Sequence, residues 1–262
     1  SRPARHWPML WPSRRAADDS RRRHGVADLE GGMYEFQEFE NGAALADALT
    51  VEVAGALAHT IRLHGKAALA LSGGKTPVRF LEAMSRYRMP WNDVVVTLVD
   101  ERWVPESHER SNAGLARRHL LKGPLSNIEF VPLYRPVPTP EEAVAEVGKV
   151  IADLPLPFAA VVLGMGEDGH TASFYPGGDN LAVANSPDCK AQVMAINAEG
   201  AGEPRITLTL PLLLAADEIL LHIEGADKRA AFEKAVAGDD VMEMPVRSLL
   251  KSEKRVKVLW CP

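Results

Sequence analysis

The chain has 262 residues, 46% of them hydrophobic and 25% charged, an ordinary globular composition that suffices for one large α/β domain or two small ones. A net charge of −5 argues against a general nucleic-acid binder, and no run of about eighteen apolar residues predicts a membrane span. The only cysteines, Cys189 and Cys261, lack metal-ligand spacing and read as incidental thiols of a reducing compartment, so a cytoplasmic location is expected.

Residues 1–32 differ from the remainder of the chain. Arg14-Arg15 and Arg21-Arg22-Arg23 recur without a sustained period. Asp18, Asp19, Asp28 and Glu30 speak against a transit peptide, and a secretory apolar core is missing. The segment reads as a mobile leading extension before a plausible start at Met33. Residues 33–262 read as one domain, because no composition break divides them.

After Asn41-Gly42, the alanine- and leucine-rich stretch 43–63 predicts a long helix. Strands are predicted at 67–71, 94–99, 159–163, 193–196, 218–223 and 256–259. Helices are predicted at 76–85, 113–121, 141–152 and 227–236. Continuously apolar strands separated by helix-length segments point to a doubly wound α/β fold: a mainly parallel sheet with helices on both faces. In such sheets ligands bind beyond the strand C-termini, so the residues at those ends carry the functional reading.

The first such end is Ser72-Gly73-Gly74-Lys75-Thr76-Pro77. Two glycines turn the chain, and Thr76-Pro77 predicts a helix cap followed by proline at the first helical position. Free backbone N–H groups and the positive helix end then favour an anion, above all a phosphate. Walker-loop spacing is absent, so a nucleoside triphosphate is not implied. Ala70 stands where a nucleophile elbow needs glycine, which leaves a serine hydrolase built on Ser72 a minor reading.

The second end, Asp100-Glu101-Arg102, places three charges after a six-residue run that is apolar except for Thr97. A solvated edge and a functional cluster are both open readings. In the functional one, Arg102 stabilises negative charge and Asp100 orients it.

The third end, Gly164-Met165-Gly166-Glu167-Asp168-Gly169-His170, delivers an aspartate and a histidine two positions apart. His170 is a candidate general base, against the bland alternative of a structural turn. The G-x-G-x-x-G spelling is not a dinucleotide fingerprint: Glu167 and Asp168 would face the pyrophosphate, and Pro176-Gly177-Gly178 cuts the following helix short. Pro204-Arg205 and Gly225-Ala226-Asp227-Lys228 each bring a cation to a turn, and taken singly each reads as a surface charge. His59, His64, His108, His119 and His222 form no ligand spacing, so no metal is predicted.

Together with Ser111-Asn112 and Thr171-Ala172-Ser173, these segments resemble the 6-phosphogluconolactonase family, in order, along nearly all of 33–262. The wider superfamily also holds glucosamine-6-phosphate deaminases. The resemblance implies a modified Rossmann-like fold and hydrolysis of 6-phospho-D-glucono-1,5-lactone in the oxidative pentose phosphate route. By motif, Ser72, Gly73, Gly74, Lys75 and Thr76 would hold the phosphate with Arg205 and Lys228. His170 would act as base, with Asp168, Arg102 and Asp100 in the reacting pocket. A lactone is already an activated ester, so no cofactor is expected. The implied partner is a small sugar-phosphate lactone, with neither nucleic acid nor membrane, and the chain is expected to be a monomer or weak homo-oligomer.

Two alternatives come from other classes. A deaminase loop resembles D-G-H-I-A-F-N-E-P, but here Phe174-Tyr175 occupy the Asn-Glu positions and the ring-opening carboxylate is absent. The lactonase pattern more often continues Ser-Leu-Phe-Pro, from which Ser173-Phe174-Tyr175-Pro176 departs while keeping bulk and aromaticity. A non-catalytic sugar-phosphate sensor would need the anion turn but not Asp168-Gly169-His170.

Overall fold

The computed structural model describes residues 23–29 and 32–262. In chain order the described residues form β1 (Arg23–Leu29), β2 (Gly32–Glu38), α1 (Gly42–His64), β3 (Ala67–Leu71), α2 (Val78–Arg86), β4 (Val94–Leu98), β5 (Asp100–Arg102) and α3 (Asn112–His119). Next come β6 (Glu129–Val131), α4 (Pro140–Ala152), β7 (Ala160–Leu163), α5 (Leu181–Ala184), β8 (Val193–Ile196) and β9 (Arg205–Leu208). The chain closes with α6 (Leu210–Leu214), β10 (Glu218–Glu224), α7 (Ala226–Ala237), α8 (Arg247–Leu250) and β11 (Val256–Cys261).

The main sheet runs β1-β2-β11-β10-β7-β3-β4-β6, and every neighbouring pair is parallel except the β1–β2 hairpin. From β3 the chain walks outward through β4 to β6. It then returns to β7 and walks the other way through β10 to β11. The reversal therefore falls between β3 and β7, whose paired residues Leu71 and Val162 lie close to both strand ends. That crevice is where a doubly wound sheet places its ligand.

Local sequence accounts for the frame. The Asn41 side chain accepts from the Ala43 and Ala44 amides at 3.0 Å, and Gly65, at φ +82°, ends the same helix in a left-handed turn. Between them Leu45, Leu49, Val53 and Leu57 repeat every fourth residue and are fully buried, each burial worth about 1.5–3 kcal/mol. By length and composition α1 could cross a bilayer, but its apolar stripe packs on β3, β7, β10 and β11. β3, β4 and β7 are buried along their whole length, as strands covered on both faces must be.

Several expectations are corrected. The strand at 193–196 belongs to a separate antiparallel sheet, β5-β9-β8, and not to the parallel one. Asp100-Glu101-Arg102 is itself a strand, because its partner β9 supplies a ladder that three charged residues do not advertise. Arg205 opens β9 instead of a turn, and it is buried, not a surface charge. α2 begins at Val78 with no side-chain cap, so Thr76 does not cap it. Of the segment read as a leading extension, Arg23–Leu29 pairs with β2. Residues 1–22, 30 and 31 of that segment lie outside the described residues.

Candidate active site

At the end of β3 the Ser72 amide still bonds the Val162 carbonyl of β7 at 2.9 Å, and then the chain turns away. Gly74 has φ +92°, a conformation that other residues resist. A side chain at Gly73 would collide with the Asn112 amide group. Among the described residues the amides of Gly73, Gly74, Lys75 and Thr76 donate to no protein acceptor. Four free donors just before the α2 N-terminus are the chemistry that suits an anion.

The end of β7 builds the opposite wall. Gly166 donates to the His170 carbonyl at 2.8 Å and Gly169 to the Gly166 carbonyl at 3.0 Å, which folds Gly166–His170 into a tight turn. Any side chain at Gly166 would strike the His170 ring and the Asp168 carboxylate. Asp168 Oδ1 accepts from the His170 amide at 3.1 Å and lies 2.6 Å from His170 Nδ1. Burial raises the Asp168 carboxyl, but the His170 hydrogen bond and charge outweigh it and hold the group below its ordinary 3.8. An ionised carboxylate only accepts, so in the neutral form of His170 the imidazole proton sits on Nδ1 and a lone pair remains on Nε2. Tyr175 stacks on that ring with centroids 4.2 Å apart and an interplanar angle of 22°. Ala172 adopts φ +47°, a left-handed conformation between the histidine and Ser173.

The acidic strand supports both walls from below. Asp100 Oδ2 accepts from Ser173 Oγ at 2.5 Å and lies 3.7 Å from Arg205 Nη1, while Asn112 Nδ2 donates to Asp100 Oδ1 at 3.2 Å. Asp100 thus orients Arg205, Asn112 and Ser173, and not Arg102. Arg102 Nη1 bonds the Arg110 carbonyl instead. Glu101 is fully buried and accepts from the Arg102, Asn112 and Ala113 amides at 2.8 Å each and from Ser111 Oγ at 3.1 Å. Burial pushes its carboxyl up to about 7, against the pull of those amides.

One cleft of about 210 Å³ joins these pieces. Its lining includes Ser72, Gly73, Gly74, Lys75 and Thr76 from the anion turn and Asp100, Arg102, His170, Arg205 and Lys228 from the other segments. Asp168 stands behind His170 and not on the lining. Lys228 Nζ bonds the Met165 carbonyl at 2.6 Å, beside the glycine turn. Arg205 lines the same cleft as the Ser72–Thr76 turn, and its Cζ lies 5.2 Å from the Tyr175 ring.

Sequence reasoning gave no site role to three polar lining residues: Asn112, Tyr175 and His222. Asn112 Oδ1, His222 Nδ1 and Arg102 Nε are buried atoms without partners, and all three belong to residues of this cleft. The other buried atoms without partners among the described residues, both side-chain polar atoms of Asn185 and Glu203 Oε2, belong to residues outside it. His222 Nε2 pairs with Glu224 at 2.9 Å, a contact that its lone place in an apolar strand did not announce. Among the described residues no three metal-ligating side chains converge.

A parallel sheet opening at its switch point, with an anion turn facing a His–Asp pair, defines a ligand-binding α/β protein of the modified Rossmann type. The chain belongs to the family described as glucosamine-6-phosphate isomerases/6-phosphogluconolactonase, whose sequence model matches residues 40–260. It is 45% identical over 225 residues to a 6-phosphogluconolactonase of Rhizobium meliloti, covering 86% of this chain and 97% of that one. A 6-phosphogluconolactonase of Mesorhizobium japonicum is 45% identical over 235 residues, with 89% and 98% covered. The solved structure of a 6-phosphogluconolactonase from Shewanella baltica superposes with a TM-score of 0.84 at 36% identity, covering 87% and 97%.

Proposed function

We propose that the protein hydrolyses 6-phospho-D-glucono-1,5-lactone to 6-phospho-D-gluconate by general-base activation of water. The observation that carries this reading is that one cleft holds both the Ser72–Thr76 turn and the His170 imidazole with Asp168 on its Nδ1. In this mechanism the turn amides, Ser72, Thr76, Lys75 and Lys228 grip the phosphate, and that remote binding energy fixes the lactone carbon beside His170. His170 Nε2 takes a proton from water as the oxygen attacks C1. The carbonyl π electrons move to oxygen, and the tetrahedral oxyanion is stabilised by the positive field of Arg205 and Arg102. When it collapses, the C1–O5 bond breaks and the Nε2 proton passes to O5, which leaves a free hydroxyl and a carboxylic acid that ionises. Asp168 keeps the imidazole in the competent tautomer throughout.

The deaminase alternative is not favoured: Phe174 and Tyr175 stand where its chemistry needs a carboxylate, and the named relatives are lactonases. The deciding experiment is a coupled assay on freshly generated 6-phosphogluconolactone, corrected for spontaneous opening. Enzyme-dependent hydrolysis that disappears in His170→Ala supports the proposal. A rate equal to the uncatalysed one for the wild-type chain overturns it.

A further inference from the structure

The His170 wall carries a group that the hydrolytic mechanism leaves unused. Arg205 there is largely committed to the protein itself, and Arg102 spends one nitrogen in the same way. Arg102 Nη1 bonds the Arg110 carbonyl, and its Nε is shielded from the cleft. Arg205 spends Nη2 on the Ala201 carbonyl at 2.6 Å and Nε on the Glu203 carbonyl at 3.3 Å, and Nη1 faces Asp100. The phenol of Tyr175 is not so committed. The residue is only 7% exposed, yet its hydroxyl makes no hydrogen bond among the described residues and is not one of the shielded polar atoms, so it opens onto the cleft the residue lines. Its ring is locked on one side by the His170 stack and lies under the Arg205 guanidinium.

We infer that the Tyr175 hydroxyl is a substrate-binding donor that hydrogen-bonds an oxygen at the lactone end of the substrate, a contact that a phenylalanine at this position cannot make. The inference rests on the lactonase reading and extends it from the phosphate grip to the reacting end. Stacking fixes the phenol within one ring's width of the imidazole, so an oxygen it holds belongs to the sugar ring and not to the phosphate. Burial raises the phenol above its ordinary 10.0, with Asp100 and Asp168 adding to the rise against Arg205 and Arg102, so it remains a protonated donor at neutral pH. A polyhydroxylated lactone offers acceptors all round its ring, and an unpaired donor on the wall selects among them.

The test uses Tyr175→Phe, which keeps the stack and removes only the O–H. kcat/KM is measured on 6-phosphogluconolactone and on unphosphorylated glucono-1,5-lactone, with Tm as the check on folding. The expected result is a loss of about two- to tenfold, equal on both substrates, at an unchanged Tm. Equality is the readout that separates a contact at the ring from one at the phosphate, since Lys228→Ala should hurt the phosphorylated lactone alone. An unimpaired Phe variant of an active wild type overturns the inference while leaving the lactonase reading intact, and so does a loss confined to the phosphorylated substrate. A wild-type chain inert on the lactone overturns both.

Discussion

At the residue scale the chemistry rests on how Asp168 and His170 divide one proton. His170→Ala is expected to lower kcat by at least about a hundredfold with Tm little changed, measured in the coupled assay and by thermal denaturation. Asp168→Asn should cost at least about tenfold in kcat, because an amide can present either its oxygen or its nitrogen to Nδ1 and no longer dictates the tautomer. The pair also sets a pH dependence. Asp168 titrates below 3.8 in the folded chain, so its contribution to stability is complete above that value and is lost as pH falls through the depressed one. Acid titrations of Tm should therefore show a shallower decline below about pH 4 for Asp168→Asn than for the wild type. The His170 turn was legible in the sequence because glycines and polar residues set directly after an apolar run mark the point where a buried strand stops. Tyr175 and Asn112 were not, because their roles depend on which strand end lies opposite, and one chain segment does not contain that information.

At the element scale the two apolar strands that carry the walls, β3 and β7, were readable from continuous hydrophobicity, and α1 from its alanine- and leucine-rich run opening after Asn41-Gly42. The short antiparallel strands were not readable. β5 is three charged residues, and β9 mixes Arg205 and Thr207 with Ile206 and Leu208. Both become strands because each satisfies the other's backbone. The structural reason for an acidic residue in β5 is Glu101, which collects the first amides of α3 and fastens that helix to the sheet. Glu101→Gln turns one acceptor into a donor facing N–H groups, and should lower stability by about 1–3 kcal/mol in denaturant titrations near neutral pH. Because the folded carboxyl titrates near 7, above its ordinary 4.5, the folded chain holds an extra proton between those values. Wild-type stability should fall as pH rises through that window, and the Gln variant should lose that slope.

At the scale of the whole molecule the cleft draws on both arms of the sheet, so a ligand that fills it ties them together. The product 6-phosphogluconate at a hundred times its Kd should stabilise the fold by about 2.7 kcal/mol, read as a rise in Tm. Gluconate at the same concentration should do far less, because it leaves the Gly73–Thr76 amides unfilled. Lys228→Ala should narrow the difference between the two ligands, and an equal response to both in the wild type would count against a phosphate grip. The doubly wound plan itself was legible from the alternation of apolar strands and helices. The strand order was not, since the position of β7 beside β3 comes from the long return past β4 and β6 and no local signal marks it.

That return has a temporal meaning. The anion turn is synthesised early, but its neighbour across the switch point, with the histidine, leaves the ribosome only after the entire outer arm has been made. Until β7 slots in beside β3, the nascent chain owns a handle for phosphate and no tool to use on what it holds. Enzymatic turnover should therefore reappear during refolding in step with the pairing of β7 beside β3 and never before it.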